Sequence, residues 1–258
     1  MDIITALLQE TDKILILLAR FSGLMLAPIF SAKNIPLIWK TSLTLFLTYF
    51  GWSMGLANNY QAPDLGLNLF LVLISEFLIG LMLSLVTLFI FAAIQLAGHE
   101  MDFQMGFGIV QVMDPLSGTQ VPVIGNFYYI LAMLIFLQID GHHLFIKALV
   151  SSYQHIPIGG FAVRGGVAQQ LVLFFGELFA TGLKLSLPLV GTLIVVDVIL
   201  GIVSRTVPQM NIFMVGMPAK IIIGFGVLFV TLPLFIHLLN ALFDHLFWQL
   251  DSIMRVVL

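Results

Sequence analysis

Metal-assisted hydrolysis is the first chemistry these residues invite. His99-Glu100-Met101-Asp102-Phe103 begins like HExxH, in which two histidines one helical turn apart hold zinc and the glutamate acts as general base. Phe103 stands where the second histidine is needed, so half of the ligand pair is missing. His142 and His143 are adjacent, and neighbours on a helix point about 100° apart, a poor arrangement for chelating one ion. They read instead as polar residues at an interface or at a turn after Gly141. Gly106-Phe107-Gly108 is only a fragment of a nucleotide fingerprint, and no GxSxG occurs. The chain has no cysteine, which removes disulfides, thiolate metal sites and cysteine nucleophiles. The expectation is a protein without catalytic residues, metal or cofactor.

The more informative charges lie where charge is costly. Arg20, Glu76, Glu177, Lys184 and Asp197 all sit inside apolar runs. At a bilayer centre each would cost about 2.5 to 3.5 kcal/mol on insertion scales. Glu177 and Lys184 are too far apart along one helix to pair directly, so partners are expected on other helices or other chains. Two readings follow. The charges could form a proton or ion path in a small-solute transporter, with helices broken at Pro188 and Pro218, or they could pair across helices and hold an assembly together. Against the transporter, the two halves of the chain show no symmetry.

The elements that must position these residues are apolar helices. Of 258 residues, 60% are hydrophobic and 9% charged, and the mean hydropathy is +1.10. A soluble domain is about a quarter charged, so the expected class is an all-α polytopic membrane protein. The net charge of -3 gives no footprint for nucleic acid. Acidic Asp2, Glu10 and Asp12 at the start, and Arg20 in the first apolar run, do not resemble a cleaved signal peptide. The apolar runs are Ile14 to Phe30, Leu37 to Ala57, Leu65 to Ala97, Val121 to Ile139, Val167 to Val203 and Ile212 to Phe243. Six spans of about 20 residues would leave no separate soluble domain, so the chain is read as one domain, 1–258. A stretch from Leu144 to Ile158 is too short and too polar to count.

Two of the runs are too long for a simple span. Residues 65–97 and 167–203 would measure about 50 and 55 Å as straight helices, against a hydrocarbon core of about 30 Å. They must fold back as hairpins or protrude, and Pro188 is a natural place for a kink or reversal in the second. A six-span topology puts Lys33, Lys40, Arg205 and Lys220 on one side and Lys13, Lys147, Arg164 and Arg255 on the other, which decides no orientation. Gly51-x3-Gly55 and Gly80-x3-Ser84 have the spacing that lets two helices approach closely.

Residues 99–122 form the most distinctive connection. They combine Met101, Met105 and Met113 with Phe103 and Phe107, interrupted by Gly106, Gly108 and Gly118, and carry no Lys or Arg. Adaptable methionines and permissive glycines suit a space-filling re-entrant loop or a deformable plug in a wide pore.

Taken together, several residues resemble the FliR family, the R subunits of the flagellar and type III secretion export gate. They are Arg20 with Pro28, Ile35-Pro36, Glu76-x3-Gly80, Gly98-x3-Asp102-x-Gln104-x-Gly106, Asp114-Pro115 and Gly141-His142. They continue with Pro188, Asp197-x3-Gly201-x3-Arg205-x2-Pro208-Gln209-x-Asn211, Phe213, Gly216, Pro218 and Lys220. The resemblance covers almost the whole chain. It implies kinked, hairpin-forming helices and a non-enzymatic core subunit of the gate in the bacterial inner membrane, at the flagellar basal body. One copy would join several P and Q subunits, with the B subunit attached, to pass unfolded flagellar proteins.

The resemblance also implies that residues 106–122 belong to the pore-closing elements. Met105, Gly106, Phe107, Gly108, Ile109, Val110, Val112, Met113, Asp114 and Pro115 are the expected plug, with the apolar side chains sealing the resting channel by reversible packing. Arg20, Glu76, Glu177, Lys184, Asp197, Arg205 and Lys220 are the expected polar contacts within or between subunits.

Overall fold

A computed structural model describes residues 2–31, 35–58, 60, 67–108, 122–160, 165–209 and 211–256. Among these residues the regular structure is entirely helical: α1 (Asp2–Ser22), a 3₁₀ turn (Gly23–Leu26), α2 (Pro28–Ser31), α3 (Leu37–Ser53), α4 (Leu67–Met105), α5 (Val123–Gln138), α6 (Gly141–His155), α7 (Gly165–Thr206) and α8 (Ile212–Val256).

The boundaries follow local chemistry. Pro28 opens α2 and Pro36 precedes α3, where a missing N–H is no loss. Two helices end in the same way. After α3, Gly55 takes φ +73°, so that its N–H reaches Trp52 O at 2.9 Å while Leu56 N–H reaches Gly51 O at 3.1 Å. After α4, Gly106 takes φ +95°, its N–H reaches Phe103 O and Phe107 N–H reaches Asp102 O, both at 3.1 Å. This is the Schellman ending, and it needs a left-handed residue that glycine supplies without a Cβ clash. The connection expected from His99 therefore starts at Gly106: nothing between residues 98 and 105 breaks the helix, so His99, Glu100 and Asp102 ride on its last turns.

The overlong runs become single continuous helices. α4 has 39 residues, α7 has 42 and α8 has 45, or about 58, 63 and 68 Å of rise. None of the three is broken into a hairpin within its range; α7 runs through Pro188 and α8 through Pro218 and Pro233.

Against the approximate count of six apolar segments, α4, α7 and α8 are, among the described residues, long and apolar enough to cross a membrane, and a fourth span results if α5 and α6, bent by 68° at their junction, form one span. α3 and α5, with 17 and 16 residues, rise about 26 and 24 Å and fall short of the hydrocarbon core. The Leu144 to Ile158 stretch set aside as too polar is the body of α6, whose Phe145 and Leu149 are buried.

The chain packs as two compact units, each assembled from separated segments. The first comprises Met1–Phe89, Asp140–Phe174 and Asp244–Leu258; the second comprises Ile90–Ile139 and Phe175–Phe243. In the first, α1 packs on α3, and the Trp52 indole N–H donates to Glu10 at 2.8 Å. Lys13, and secondarily Trp52, hold the Glu10 carboxyl below the usual carboxylate range. In the second, Phe91, Phe136 and Phe243 meet edge-on or tilted at 5.0 to 5.8 Å, and Tyr128 stacks on Phe235 at 3.9 Å. The helices differ sharply in what they hide: 61% of the most apolar window of α4 is buried within the chain, but only 17% of those of α7 and α8.

Candidate functional site

Arg20 and Glu76 form a node in the first unit. Both side chains are 0% exposed, and Arg20 Nε donates to Glu76 Oε2 at 2.7 Å. The other guanidinium nitrogens donate to Ser152 Oγ at 3.0 Å and Ile156 O at 3.1 Å, and the guanidinium carbon lies 3.9 Å from the Tyr153 ring centroid. Glu76 Oε1 accepts Gly159 N–H at 3.1 Å. The node thus joins α1, α4, α6 and the turn after α6, and satisfies both charges inside an apolar core. The helices come close enough for this because Gly80, one turn beyond Glu76, faces the backbone of Arg20 and Gly23, and a Cβ there would collide with both. Ser84, another turn along, donates to Gly23 O at 2.7 Å. The Gly80-x3-Ser84 spacing therefore serves packing within this chain. The Tyr60 and Tyr153 hydroxyls are buried without a partner among the described residues, and burial holds Tyr60 above the usual phenol range.

The second unit repeats the pattern with a different carboxylate. Gly98 lies against Gly125 so closely that an added Cβ would overlap its backbone. One turn later Asp102, 2% exposed, accepts Ile124 N–H on one oxygen and Gly125 N–H on the other, each at 3.0 Å. In the sequence this carboxylate stands in a defective zinc motif and in the Gly98-x3-Asp102 element of the family resemblance, and neither assigns it these partners. The signal for its role was available in Pro122, the residue before α5, which has no side-chain acceptor to satisfy the helix's first N–H groups.

Asp197 on α7 holds a third cluster, also in the second unit. Its carboxylate accepts Lys220 of α8 at 2.8 and 2.9 Å and the Gln104 amide of α4 at 2.9 Å. This pair is open: the Asp197 side chain is 44% exposed and that of Lys220 17%. Within the described residues Arg20 pairs with Glu76 and Asp197 with Lys220, each across two helices. Glu177, Lys184 and Arg205 are exposed, and neither Lys184 nor Arg205 has an ion-pair partner among the described residues.

The start of the expected plug is seated on α8. Met105 is 0% exposed and lies against Gly224, where an added Cβ would come within 2.7 Å of its methyl group. Phe107 meets Phe225 edge-on at 6.4 Å. Phe225, Val123, Ile124, Phe127, Leu228 and Phe229 line an apolar cavity of about 450 Å³. Gly106 and Gly108 are partly exposed. Ile109, Val110, Val112, Met113, Asp114 and Pro115 lie outside the described residues.

His142 and His143 occupy the first turn of α6, behind Asp140 at φ +56°. Their rings lie 4.1 Å apart, and with Asp140 they bring three donor atoms within 4.8 Å of one another, closer than adjacency alone suggested. The His143–Asp140 pair is more than 70% exposed on both sides, so water competes for any ion there.

Residues 12–246 match the family described as Bacterial export proteins, family 1. The chain is 34% identical over 220 residues to the flagellar biosynthetic protein FliR of Bacillus subtilis, covering 84% of each chain. It is 31% identical over 230 residues to FliR of Escherichia coli, covering 88% of this chain and 86% of that one. It is 33% identical over 161 residues to FliR of Aquifex aeolicus, 62% of each.

Proposed function

Because it belongs to the bacterial export proteins, family 1, the chain is a membrane component of the flagellar export gate, and we propose that it works there as a non-enzymatic wall and closing element of the channel. In this reading it is the single R subunit of a hetero-oligomer with P and Q subunits and an attached B subunit, in the inner membrane at the flagellar basal body. Unfolded flagellar proteins are the cargo. The small-solute transporter is not favoured by this membership.

One observation carries the reading. The apolar windows of α7 and α8 leave 83% of their residues unburied by the chain itself, yet the same helices present the half-open Asp197–Lys220 pair. Lipid tails would tolerate the apolar residues but not the ion pair, whereas neighbouring subunits with polar groups can cover both. Closure is assigned to residues 105–115 and their continuation to 122. Met105 and Phe107 already rest on Gly224 and Phe225 of α8, in contacts whose dispersion energies are individually small and therefore reversible.

The test uses gates co-expressed with their neighbouring subunits and extracted in detergent. Native mass should give a large hetero-complex with one copy of this chain, and deleting residues 106–122 should raise ion leakage through reconstituted gates several-fold. Unchanged conductance in intact complexes would remove the closing role, and a lone monomer would remove the assembly role.

A further inference from the structure

Asp140 stands at the N-cap of α6, where an aspartate ordinarily turns its carboxylate onto the N–H groups of the first helical turn. Here it makes no such bond. Its carbonyl starts the helix by accepting Leu144 N–H at 3.1 Å, while its Oδ1 lies 3.3 Å from Nδ1 of the His143 ring. The Asp140 backbone, at φ +56°, is the one non-glycine position with positive φ among the described residues, a conformation that aspartate bears better than most. His142, two residues on, keeps its Nδ1 buried without a hydrogen-bond partner among the described residues. A carboxylate that gives up its cap and an imidazole nitrogen without a partner therefore meet at one strained turn.

Their donor atoms converge. One atom from each of Asp140, His142 and His143 lies within 4.8 Å of the other two. Two ligands that are each about 2.1 Å from a tetrahedral ion stand about 3.4 Å apart. The Asp140–His143 separation already fits that figure, and the remaining donor needs only a small side-chain rotation. We propose that Asp140, His142 and His143 form a binding site for a divalent transition cation of the zinc class, with water completing its shell. Two imidazoles and one carboxylate suit such an ion better than magnesium or calcium, which take oxygen ligands. The exposure that weakens the Asp140–His143 ion pair also admits the ion and its water ligands. A helix N-terminus disfavours a cation, so the Asp140 carboxylate supplies the opposing charge. Bound there, the ion ties the turn before α6 to the first turn of the helix. Ser152, in the last turn of α6, and Ile156 just beyond it bond to Arg20, so the ion steadies the helix that closes the buried node. The three ligands and the node belong to the first unit, and the site does not rest on the proposed function.

Calorimetric titration of the full chain in detergent, purified without a histidine tag, tests this with zinc chloride, and with magnesium chloride as the control. One zinc per chain is expected, with micromolar affinity, no comparable magnesium binding, and a melting temperature that rises with zinc concentration. Asp140→Asn, which tolerates the same backbone, should weaken zinc several-fold. The double variant His142→Asn with His143→Gln should weaken it by more than about tenfold. The chain has six histidines, so undiminished zinc binding in the double variant would place the ion on the others and overturn the proposal. Absence of zinc binding by the parent, or magnesium binding as tight as zinc, would overturn it equally. If the double variant does not fold, copper(II) bound to the parent decides: its electron paramagnetic resonance should show coupling to two imidazole nitrogens in the parent and unequal, weaker binding in Asp140→Asn. Coupling to fewer than two nitrogens would overturn the site.

Discussion

The buried charges differ in what they do for the molecule. Arg20 and Glu76 are wholly enclosed and each uses several hydrogen-bonding atoms, so removing one partner strands the other in an apolar core. Glu76→Gln should cost about 3 to 5 kcal/mol, seen as a lower melting temperature of the detergent-purified protein. Replacing both, as Arg20→Met with Glu76→Leu, should cost less, because no charge is then left unpaired. Asp197→Asn, at a partly exposed pair, should cost no more than about 1 kcal/mol within the chain. The sequence announced that these charges needed partners, since they stand in apolar runs. It could not say which, because Arg20 and Glu76 are 56 residues apart and no helical spacing encodes that meeting. Asp102 was harder still, because its partners are backbone N–H groups, which every residue but proline carries.

Among the helices, α4 shows how a short spacing becomes a joint. Twice it sets a glycine one turn from a carboxylate, Glu76 with Gly80 and Gly98 with Asp102; each time the glycine admits a neighbouring backbone, and the carboxylate bonds the same element, through the Arg20 guanidinium in one case and the Ile124 and Gly125 N–H groups in the other. Gly80→Leu or Gly98→Leu should prevent that approach and destabilise the protein by more than the roughly 1 kcal/mol by which glycine falls short of other residues in helices. Thermal unfolding of the two variants beside the parent measures this; unchanged melting would mean that the helices can part without loss. The helices themselves were legible as long apolar runs, and their continuity was the part that composition left open. Pro188 could mark a turn or be absorbed, and here α7 carries on through it, with Thr192 Oγ1 donating to the Pro188 carbonyl at 2.7 Å. The end of α4 was misplaced by several residues because polarity rises at His99 while the helix persists until Gly106.

For the whole molecule, the open question posed by the composition is what covers the apolar surface. Gly176, Gly191 and Gly201 of α7 have nothing within 4 Å of an added Cβ among the described residues. Gly201→Leu should therefore leave the isolated chain as stable as before, or slightly more so through helix propensity. Against a neighbouring subunit the same leucine would have no room, and the yield of hetero-complex should drop; an unaffected yield would indicate lipid or an open channel at that face. The Arg20 node also sets an order of events during synthesis. The arginine is made first, while its partners Glu76, Ser152 and Ile156 follow 56, 132 and 136 residues later. Until Glu76 emerges, the end of α1 that carries Arg20 cannot settle in an apolar place without an unpaired charge, so α1 must wait near water and be drawn in late, by helices that are translated after it.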